Sequence, residues 1–234
     1  MTGARPTLLS FDLDGTLVDT ASEIAEAANL ALGDVGLAAQ PPATIERFIG
    51  AGTRELMRRL LRVASDAASV AAPSGAMRVD TDQALARFAV HYDAVAGSRC
   101  RPYQGCIETL QRLRGAGIRL ACLTNKDERF SRRILAAVGI DACFDVLVGG
   151  DTLGVRKPDA RVVAHVLEVL RGEASALAHV GDSATDVLTA RNAGILAWAV
   201  PYGYNGGEPV ENARPDRLFA SLPDVADFVL DGEA

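Results

Sequence analysis

The chain has 234 residues, 49% of them hydrophobic, and its 24 Lys and Arg against 30 Asp and Glu give a formal net charge of −6. This length suits one large domain or a domain that carries an insertion. The acidic balance argues against non-specific binding to nucleic acids or to anionic membranes. It is compatible with a phosphorylated small molecule, because a few local cations and a metal ion are enough to hold one.

The N-terminal segment and the cysteines favour a cytoplasmic protein. The apolar run at Leu8 and Leu9 is cut short by Asp12, so we expect no signal peptide. The longest stretch without formal charge, residues 192–207, contains Pro, Asn and several Gly and does not predict a membrane span. The four cysteines show no C-x-x-C spacing, which favours buried or incidental thiols in a reducing compartment.

The N-terminal part of the chain predicts one strand followed by helices. Residues 7–11 form a short apolar strand that ends at the acidic segment 12–16. The Ala- and Ser-rich stretch 64–81 predicts a mobile loop or a weak helix extension. No convincing strand is found between residues 22 and 95. Apolar residues recur there at helical spacing in three segments, residues 24–35, 56–61 and 85–92.

After Pro102 the pattern alternates between helices and short apolar strands, which predicts a parallel sheet with helices on both faces. Because the helical block falls between the first strand and the others, it is an insertion in the sheet domain. His179 lies inside one of these strands and is expected in the core. The predicted strands are residues 118–123, 146–148, 177–180 and 197–200. The predicted helices are residues 107–113, 131–138, 160–170 and 186–193, with a last one near Val225.

Polar residues follow the predicted strands at the sheet edge where ligands of parallel sheets bind. Acids gathered at one edge repel each other, so they favour a hard cation with oxygen ligands, and Mg²⁺ is the usual one. A hydroxyl, an amide and an ammonium suit the oxygens of a phosphate. Taken alone, each Asp also fits turn chemistry or helix capping. In chain order these residues are Asp12, Asp14, Thr124, Asn125, Lys126, Lys157, Asp182, Ser183 and Asp186.

Four segments resemble, in order and spacing, the motifs of the haloacid dehalogenase-like phosphohydrolases. The resemblance covers nearly the whole chain and implies an α/β fold, with a Rossmann-like parallel sheet core and an inserted α-helical cap domain. On this basis residues 1–17 and 96–234 form the catalytic core, and residues 18–95 form the cap. The four segments are Asp12-Leu13-Asp14-Gly15-Thr16, Thr124-Asn125, Lys157-Pro158 and residues 181–186.

The resemblance also implies catalytic roles. Asp12 is expected to be the nucleophile, and Asp14 the general acid and base. Thr124 and Asn125 are expected to hold the phosphoryl group, while Lys157 offsets charge around the nucleophile and the phosphate. True dehalogenases lack an acid two residues after the nucleophile, so Asp14 favours phosphoryl transfer.

The same resemblance implies a Mg²⁺ site. Its expected ligands are Asp12, Asp182 and the backbone carbonyl of Asp14. Asp186 and Ser183 are expected to support this site, with Asp186 orienting the metal shell directly or through water.

A finer resemblance, to the phosphoglycolate phosphatases, is carried by residues 49–52, 149–153, 156–159 and 202–209. The Gly-x-Gly turn that ends at Gly52 would let backbone N–H groups approach a small anionic substrate. An ordinary interhelical turn is the alternative reading of that motif, and a Gly-rich surface loop is the alternative for residues 202–209. Arg54 lies just beyond the turn, and we infer from its position alone that it meets a substrate carboxylate.

These residues predict a Mg²⁺-dependent phosphatase for a small phosphomonoester, with 2-phosphoglycolate as the first candidate. Two alternatives remain open: a phosphatase for another small metabolite, such as a sugar or sugar-acid phosphate, and a sugar phosphomutase. A catalytically silent binding protein is disfavoured because the acids, the lysine and the hydroxyl are all present. The expected partner is a small phosphorylated metabolite, with no nucleic acid or membrane, and the sequence leaves a monomer or a homodimer undecided.

Overall fold

A parallel sheet of six strands lies at the centre of the computed structural model, which describes residues 5–71 and 79–232. The strand order is β5-β4-β1-β6-β7-β8, and every neighbouring pair is parallel. The first strand is therefore central, and its C-terminal end meets those of its two neighbours. The strands are β1 (Leu8–Phe11), β2 (Val18–Asp19), β3 (Arg101–Pro102), β4 (Arg119–Leu123), β5 (Val146–Val148), β6 (Leu177–Gly181), β7 (Leu196–Ala199) and β8 (Arg217–Leu218).

Helices cover both faces of this sheet, as the alternating pattern predicts. Leu9 and Phe11 of β1 belong to one hydrophobic cluster and Leu8 to the other, because successive side chains of a strand point to opposite faces. Burial on both faces explains why β1 and β6 are apolar over nearly their whole length. The helices are α1 (Ala21–Asp34), α2 (Pro42–Glu46), α3 (Thr53–Ala71), α4 (Thr81–Val95), α5 (Cys106–Gly115), α6 (Glu128–Ala137), α7 (Arg161–Leu170), α8 (Ala184–Asn192) and α9 (Leu222–Leu230).

Helices α1 to α4 form a block between β1 and the rest of the sheet. The predicted helices of this region are present, and the described residues between 22 and 95 contain no strand. Helix α3 continues into the Ala- and Ser-rich stretch as far as Ala71, while residues 72–78 of the predicted loop lie outside the described residues. The boundaries at residues 17/18 and 95/96 stay a prediction.

Several details differ from the predicted elements. Helix α6 begins at Glu128, three residues before the predicted start. The sequence pattern also misses α2, β8 and the antiparallel pair of β2 and β3. These elements are only two to five residues long, which is too short for a hydrophobic period to develop.

The chain passes between the sheet and the helical block twice, and β2 and β3 pair with each other at these two connections. Val18 pairs with Pro102 and Asp19 with Arg101, so the outgoing and returning chains run side by side. Within the described residues, none of the helices combines the length and the apolar character that a bilayer crossing requires.

Candidate active site

Three buried carboxylates converge at the C-terminal edge of the sheet. Asp12 follows β1, Asp182 follows β6, and Asp186 lies in the first turn of α8. One oxygen from each lies within 4.8 Å of the others, and the three residues are at most 3% exposed. The structure therefore brings Asp12 together with Asp182 and Asp186, about 170 positions further along the chain, at the edge where the sequence predicts them.

Lys157 lies against this acidic cluster. Its Nζ is 2.9 Å from Asp12 Oδ1 and 2.7 Å from Asp186 Oδ1, and its side chain is 1% exposed. Burial opposes the charged ammonium, but the carboxylates of Asp12 and Asp186 outweigh this effect and raise the pKa of Lys157 above its ordinary value. One ammonium thus lies beside a cluster of three carboxylates and contacts two of them.

The excess of negative charge is reflected in the pKa values of the three carboxyl groups. Burial, together with the charges of Asp186 and Asp12, raises the pKa of Asp182 to about 8. Burial also raises the pKa of Asp12, although Lys157 works against it. Burial acts in the same direction on Asp186, but Lys157 and His179 prevail and lower its pKa below the ordinary value. An excess of negative charge in a buried oxygen-rich cluster is the environment that a hard divalent cation neutralises.

Asp182 is held in place through both of its carboxylate oxygens. Oδ1 accepts a hydrogen bond from the Thr16 hydroxyl at 3.0 Å, and Oδ2 accepts the backbone N–H groups of Tyr204 and Asn205 at 2.8 and 3.2 Å. These donors come from the turn after β1 and from the segment after β7. The sequence pattern assigns no contact of this kind to residues 202–209.

The Asp186 carboxylate has hydrogen-bonding partners at the start of α8 and in strand β6. Its Oδ2 accepts the backbone N–H of Ser183 at 3.1 Å and the Ser183 hydroxyl at 2.5 Å. His179 Nε2 lies 3.1 Å from Oδ1, and its Nδ1 lies 2.9 Å from the Ser10 hydroxyl. His179 is buried, as predicted, and both ring nitrogens have a polar neighbour.

The Asp14 carboxylate lies apart from the acidic cluster. Thr20 donates its hydroxyl hydrogen to Asp14 Oδ1 at 2.6 Å, and Lys126 Nζ is 2.8 Å from Oδ2. Both partners are buried. Sequence reasoning assigned no separate role to Lys126, although its position directly after Thr124 and Asn125 was a signal that could have found it.

Thr124 and Asn125 lie where β4 ends. The Thr124 N–H donates to the carbonyl of Val148 at 2.9 Å, which aligns this turn with the neighbouring strand. Asn125 Nδ2 donates to the carbonyl oxygens of Gly50 and Lys157 at 3.0 and 3.2 Å, so it links the sheet to the helical block. Its Oδ1 is buried and has no hydrogen-bond partner among the described residues.

A pocket lies between the sheet edge and the helical block. The sheet side contributes the predicted catalytic and phosphoryl-binding side chains together with Lys126, while Lys157 lies behind Asp12. The helical side contributes mostly apolar side chains. The lining residues are Asp12, Asp14, Ile24, Ile49, Gly50, Gly52, Thr53, Leu56, Phe88, Tyr92, Thr124, Asn125 and Lys126.

The two predicted substrate-binding residues of the helical block have different locations. Gly52 lines the pocket with φ +90°, and a Cβ there would lie 2.9 Å from a guanidinium nitrogen of Arg156 and 3.3 Å from the Asn125 carbonyl oxygen. Arg54 is not among the lining residues. Its side chain is 60% exposed, and its guanidinium lies 2.7 Å from the Asp82 carboxylate.

The segment after β7 connects the acidic cluster to the start of the helical block. The Tyr204 hydroxyl donates to Asp19 Oδ1 at 2.8 Å and accepts the N–H groups of Thr20 and Ala21 at 2.7 and 2.9 Å. Because the backbone N–H of Tyr204 also donates to Asp182, one residue spans both regions. A contact between Tyr204 and Asp19, 185 positions apart, leaves no local pattern, so the sequence identifies residues 202–209 as a segment of family resemblance without a contact for Tyr204.

Comparison with known proteins gives a consistent result. The sequence matches the family model described as haloacid dehalogenase-like hydrolase over residues 6–194. A phosphoglycolate phosphatase of Thiobacillus denitrificans is 37% identical over 92% of both chains, and a plasmid-encoded phosphoglycolate phosphatase of Cupriavidus necator is 42% identical over 92% of this chain and 90% of that protein. A crystal structure of a predicted phosphoglycolate phosphatase from Haemophilus somnus is 30% identical with a TM-score of 0.86, covering 98% of this chain and 99% of that one.

Proposed function

Because the chain belongs to the haloacid dehalogenase-like hydrolases, we propose that it is a Mg²⁺-dependent phosphatase that hydrolyses 2-phosphoglycolate to glycolate and inorganic phosphate. One observation carries the proposal: Asp12, Asp14, Thr124 and Asn125 line a single pocket, with Lys157 in contact with Asp12. The relatives named phosphoglycolate phosphatase support the choice of substrate.

In the first step, a carboxylate oxygen of Asp12 attacks phosphorus, and the bond from phosphorus to the glycolate oxygen breaks. Asp14 gives its proton to the departing oxygen. Lys157, 2.9 Å from Asp12 Oδ1, orients the nucleophile and offsets negative charge that builds up around the phosphoryl group. The products of this step are glycolate and an aspartyl-phosphate on Asp12.

In the second step, the Asp14 carboxylate takes a proton from water as the water oxygen attacks the aspartyl-phosphate. The bond from phosphorus to Asp12 breaks, and inorganic phosphate leaves. The Thr124 hydroxyl and the Asn125 side chain hold the phosphoryl oxygens in both steps. Thr20 and Lys126 each contact one Asp14 oxygen and keep the carboxyl group directed into the pocket.

The donor set of the acidic cluster fits Mg²⁺. We assign as ligands the side chains of Asp12 and Asp182 and the backbone carbonyl of Asp14, with Asp186 and Ser183 supporting them. The unbalanced carboxylates and the raised pKa of Asp182 favour a divalent cation there. The chemistry that bound Mg²⁺ supplies is neutralisation of negative charge on the phosphoryl oxygens.

We infer that residues 18–95 act as a cap domain on the core formed by residues 1–17 and 96–234. Apolar side chains of the helical block lie over the polar sheet edge. Their role in this proposal is to exclude water while Asp12 is exposed to the substrate, and their movement lets glycolate leave. A small phosphorylated metabolite is the proposed partner and the cytoplasm the proposed location.

A phosphate-release assay over a few dozen phosphorylated metabolites in the presence of Mg²⁺ tests this proposal. The expected result is the highest kcat/KM for 2-phosphoglycolate. A clear preference for a sugar phosphate would replace the substrate but keep the chemistry. Phosphoryl return to a sugar that depends on a sugar bisphosphate primer would instead identify a mutase.

A further inference from the structure

The proposed substrate carries a carboxylate as well as a phosphate, so its pocket needs a second positive charge besides the one at the nucleophile. Arg54 does not supply this charge, because its guanidinium is exposed and pairs with Asp82. Among the described residues that line the pocket, Lys126 is the only one with a cationic side chain. Lys157 contacts Asp12 and Asp186 instead and serves the phosphoryl end.

Lys126 is built rigidly into the pocket wall. Its side chain is 6% exposed, and its Nζ lies 2.8 Å from Asp14 Oδ2 and 4.8 Å from the centre of the Tyr92 ring. The ring belongs to α4 of the helical block and the lysine to the turn after β4, so the ammonium lies between the two sides. An ammonium has three N–H donors, and the contact with Asp14 uses one of them.

The surroundings of Lys126 restrict the chemistry of the substrate group that the phosphate is attached to. Four side chains of the helical side, Ile24, Ile49, Leu56 and Phe88, cannot pair with the hydroxyls of a sugar, and the polar side chains of that side are those of Thr53 and Tyr92. A short group with a single anionic end satisfies both the apolar wall and the buried ammonium, since a charge-assisted hydrogen bond forms there out of water.

We propose that Lys126 binds the carboxylate of the substrate and thereby selects a short phosphorylated carboxylic acid over neutral phosphomonoesters. This inference rests on the proposed function. It assigns to Lys126 the role that the sequence suggested for Arg54, and it gives the lysine a further contact besides Asp14 and the Tyr92 ring.

The first test uses the unaltered enzyme with Mg²⁺ and two substrates of nearly equal size, 2-phosphoglycolate and its neutral amide. A hydrogen bond between two charged groups predicts a kcat/KM ratio of about 10 to 100 in favour of the acid. A ratio near one, with phosphoglycolate still hydrolysed well, overturns the inference but leaves the proposed function intact. Failure to hydrolyse phosphoglycolate at all overturns the proposed function itself.

The second test compares variants. Lys126→Met should lower the ratio of acid to amide by the same factor, mainly through KM for the acid, and Lys126→Arg should restore most of it. Arg132→Met removes an exposed cation of α6 that pairs with Glu128, and it should leave the ratio unchanged. Equal losses on both substrates in Lys126→Met would show that the lysine serves Asp14 alone. If Lys126→Met does not fold, the inference is tested by the ratio of kcat/KM for the acid to kcat/KM for the amide, measured in the unaltered enzyme and in Lys126→Arg. A ratio near one in both overturns it.

Discussion

On the sheet side of the pocket, the buried carboxylates of Asp12, Asp182 and Asp186 each have two or more polar partners within the chain. On the helical side, the lining is largely apolar, and a hydrogen bond from Asn125 to the Gly50 carbonyl joins it to the sheet. The first arrangement fixes charged groups against displacement. The second covers them mainly with apolar side chains.

This difference suggests that the sheet side carries out the chemistry and that the helical side controls substrate entry and product release. Phosphoryl transfer needs reacting atoms held in one geometry, which the hydrogen-bonded carboxylates of the sheet edge provide. Substrate entry and product release need a wall that moves, and the helical block is the side of the pocket that can supply such a wall. Changes on the sheet side should therefore abolish chemistry, whereas changes on the helical side should alter how well a substrate is held.

The largest effect is expected from Asp12→Asn. The amide is a poor nucleophile, so kcat should fall by at least about 10⁴-fold, as losses of catalytic nucleophiles do. The fold should survive, since the change removes one charge from a cluster of repelling acids. Phosphate release and intact-protein mass for the phosphoenzyme measure the first effect, and thermal unfolding the second. A folded and active variant would refute the assignment of Asp12.

Removal of the metal ion is expected to stop turnover without opening the pocket. Excess chelator should abolish phosphate release, and added Mg²⁺ should restore it. Ca²⁺ should replace Mg²⁺ poorly, because its longer and looser coordination misplaces Asp12 relative to phosphorus. The control is the circular dichroism spectrum in chelator, which should not change. Full activity in chelator would contradict the metal assignment.

The helical side is tested by Gly52→Ala with Gly50→Ala as its control. Both glycines have positive φ, +90° and +112°, so both substitutions strain the backbone by roughly 1–2 kcal/mol. An added Cβ meets nothing within 4 Å at Gly50 but approaches Arg156 and Asn125 at Gly52. Gly52→Ala should therefore show the greater loss of kcat/KM, by roughly tenfold if the crowding costs a further 1.4 kcal/mol.

Steady-state kinetics with phosphoglycolate measures this difference, and the loss should lie in KM more than in kcat. Equal effects of the two substitutions would mean that the turn at Gly52 does not contact the sheet side during turnover.

The sheet side was largely predictable from sequence because its residues are placed by strand ends. Asp12 and Asp182 need only the correct strands and a parallel sheet to meet, and a short apolar run followed by an acid carries that information. Lys157 lies nine residues beyond the end of β5, so the strand pattern alone does not place it. The helical side was less predictable. Whether Arg54 faces the pocket or the solvent depends on the rotation of α3 about its axis, which an exposed polar position does not specify.

Contacts between distant loops were also beyond the sequence pattern. Tyr204 reaches Asp19 and the start of α1 because the sheet order brings the segment after β7 beside the turn after β1. The local composition of residues 202–209 does not predict the contact between Tyr204 and Asp19. Lys126 lies between these cases, since its position at the strand end was visible but its contact with Asp14 was not.

Two serine substitutions with a small effect on stability distinguish support of the acidic cluster from ordinary helix capping. Ser183→Ala removes a hydroxyl that donates to buried Asp186 at the start of α8, and Ser221→Ala removes one that accepts the Asp224 N–H at the start of α9. Each substitution should lower the free energy of unfolding by about 1–2 kcal/mol. Denaturant unfolding of both variants measures this shared cost.

Ser183→Ala and Ser221→Ala should differ in the Mg²⁺ concentration that they require for activity. Loss of a partner that orients an outer carboxylate of a metal site typically weakens metal binding by about 10- to 100-fold. The Mg²⁺ concentration for half-maximal phosphate release should therefore rise in Ser183→Ala and stay constant in Ser221→Ala. An equal Mg²⁺ requirement in both would mean that Asp186 keeps its orientation through Lys157 and His179 alone, 2.7 and 3.1 Å away. The serine would then only start a helix.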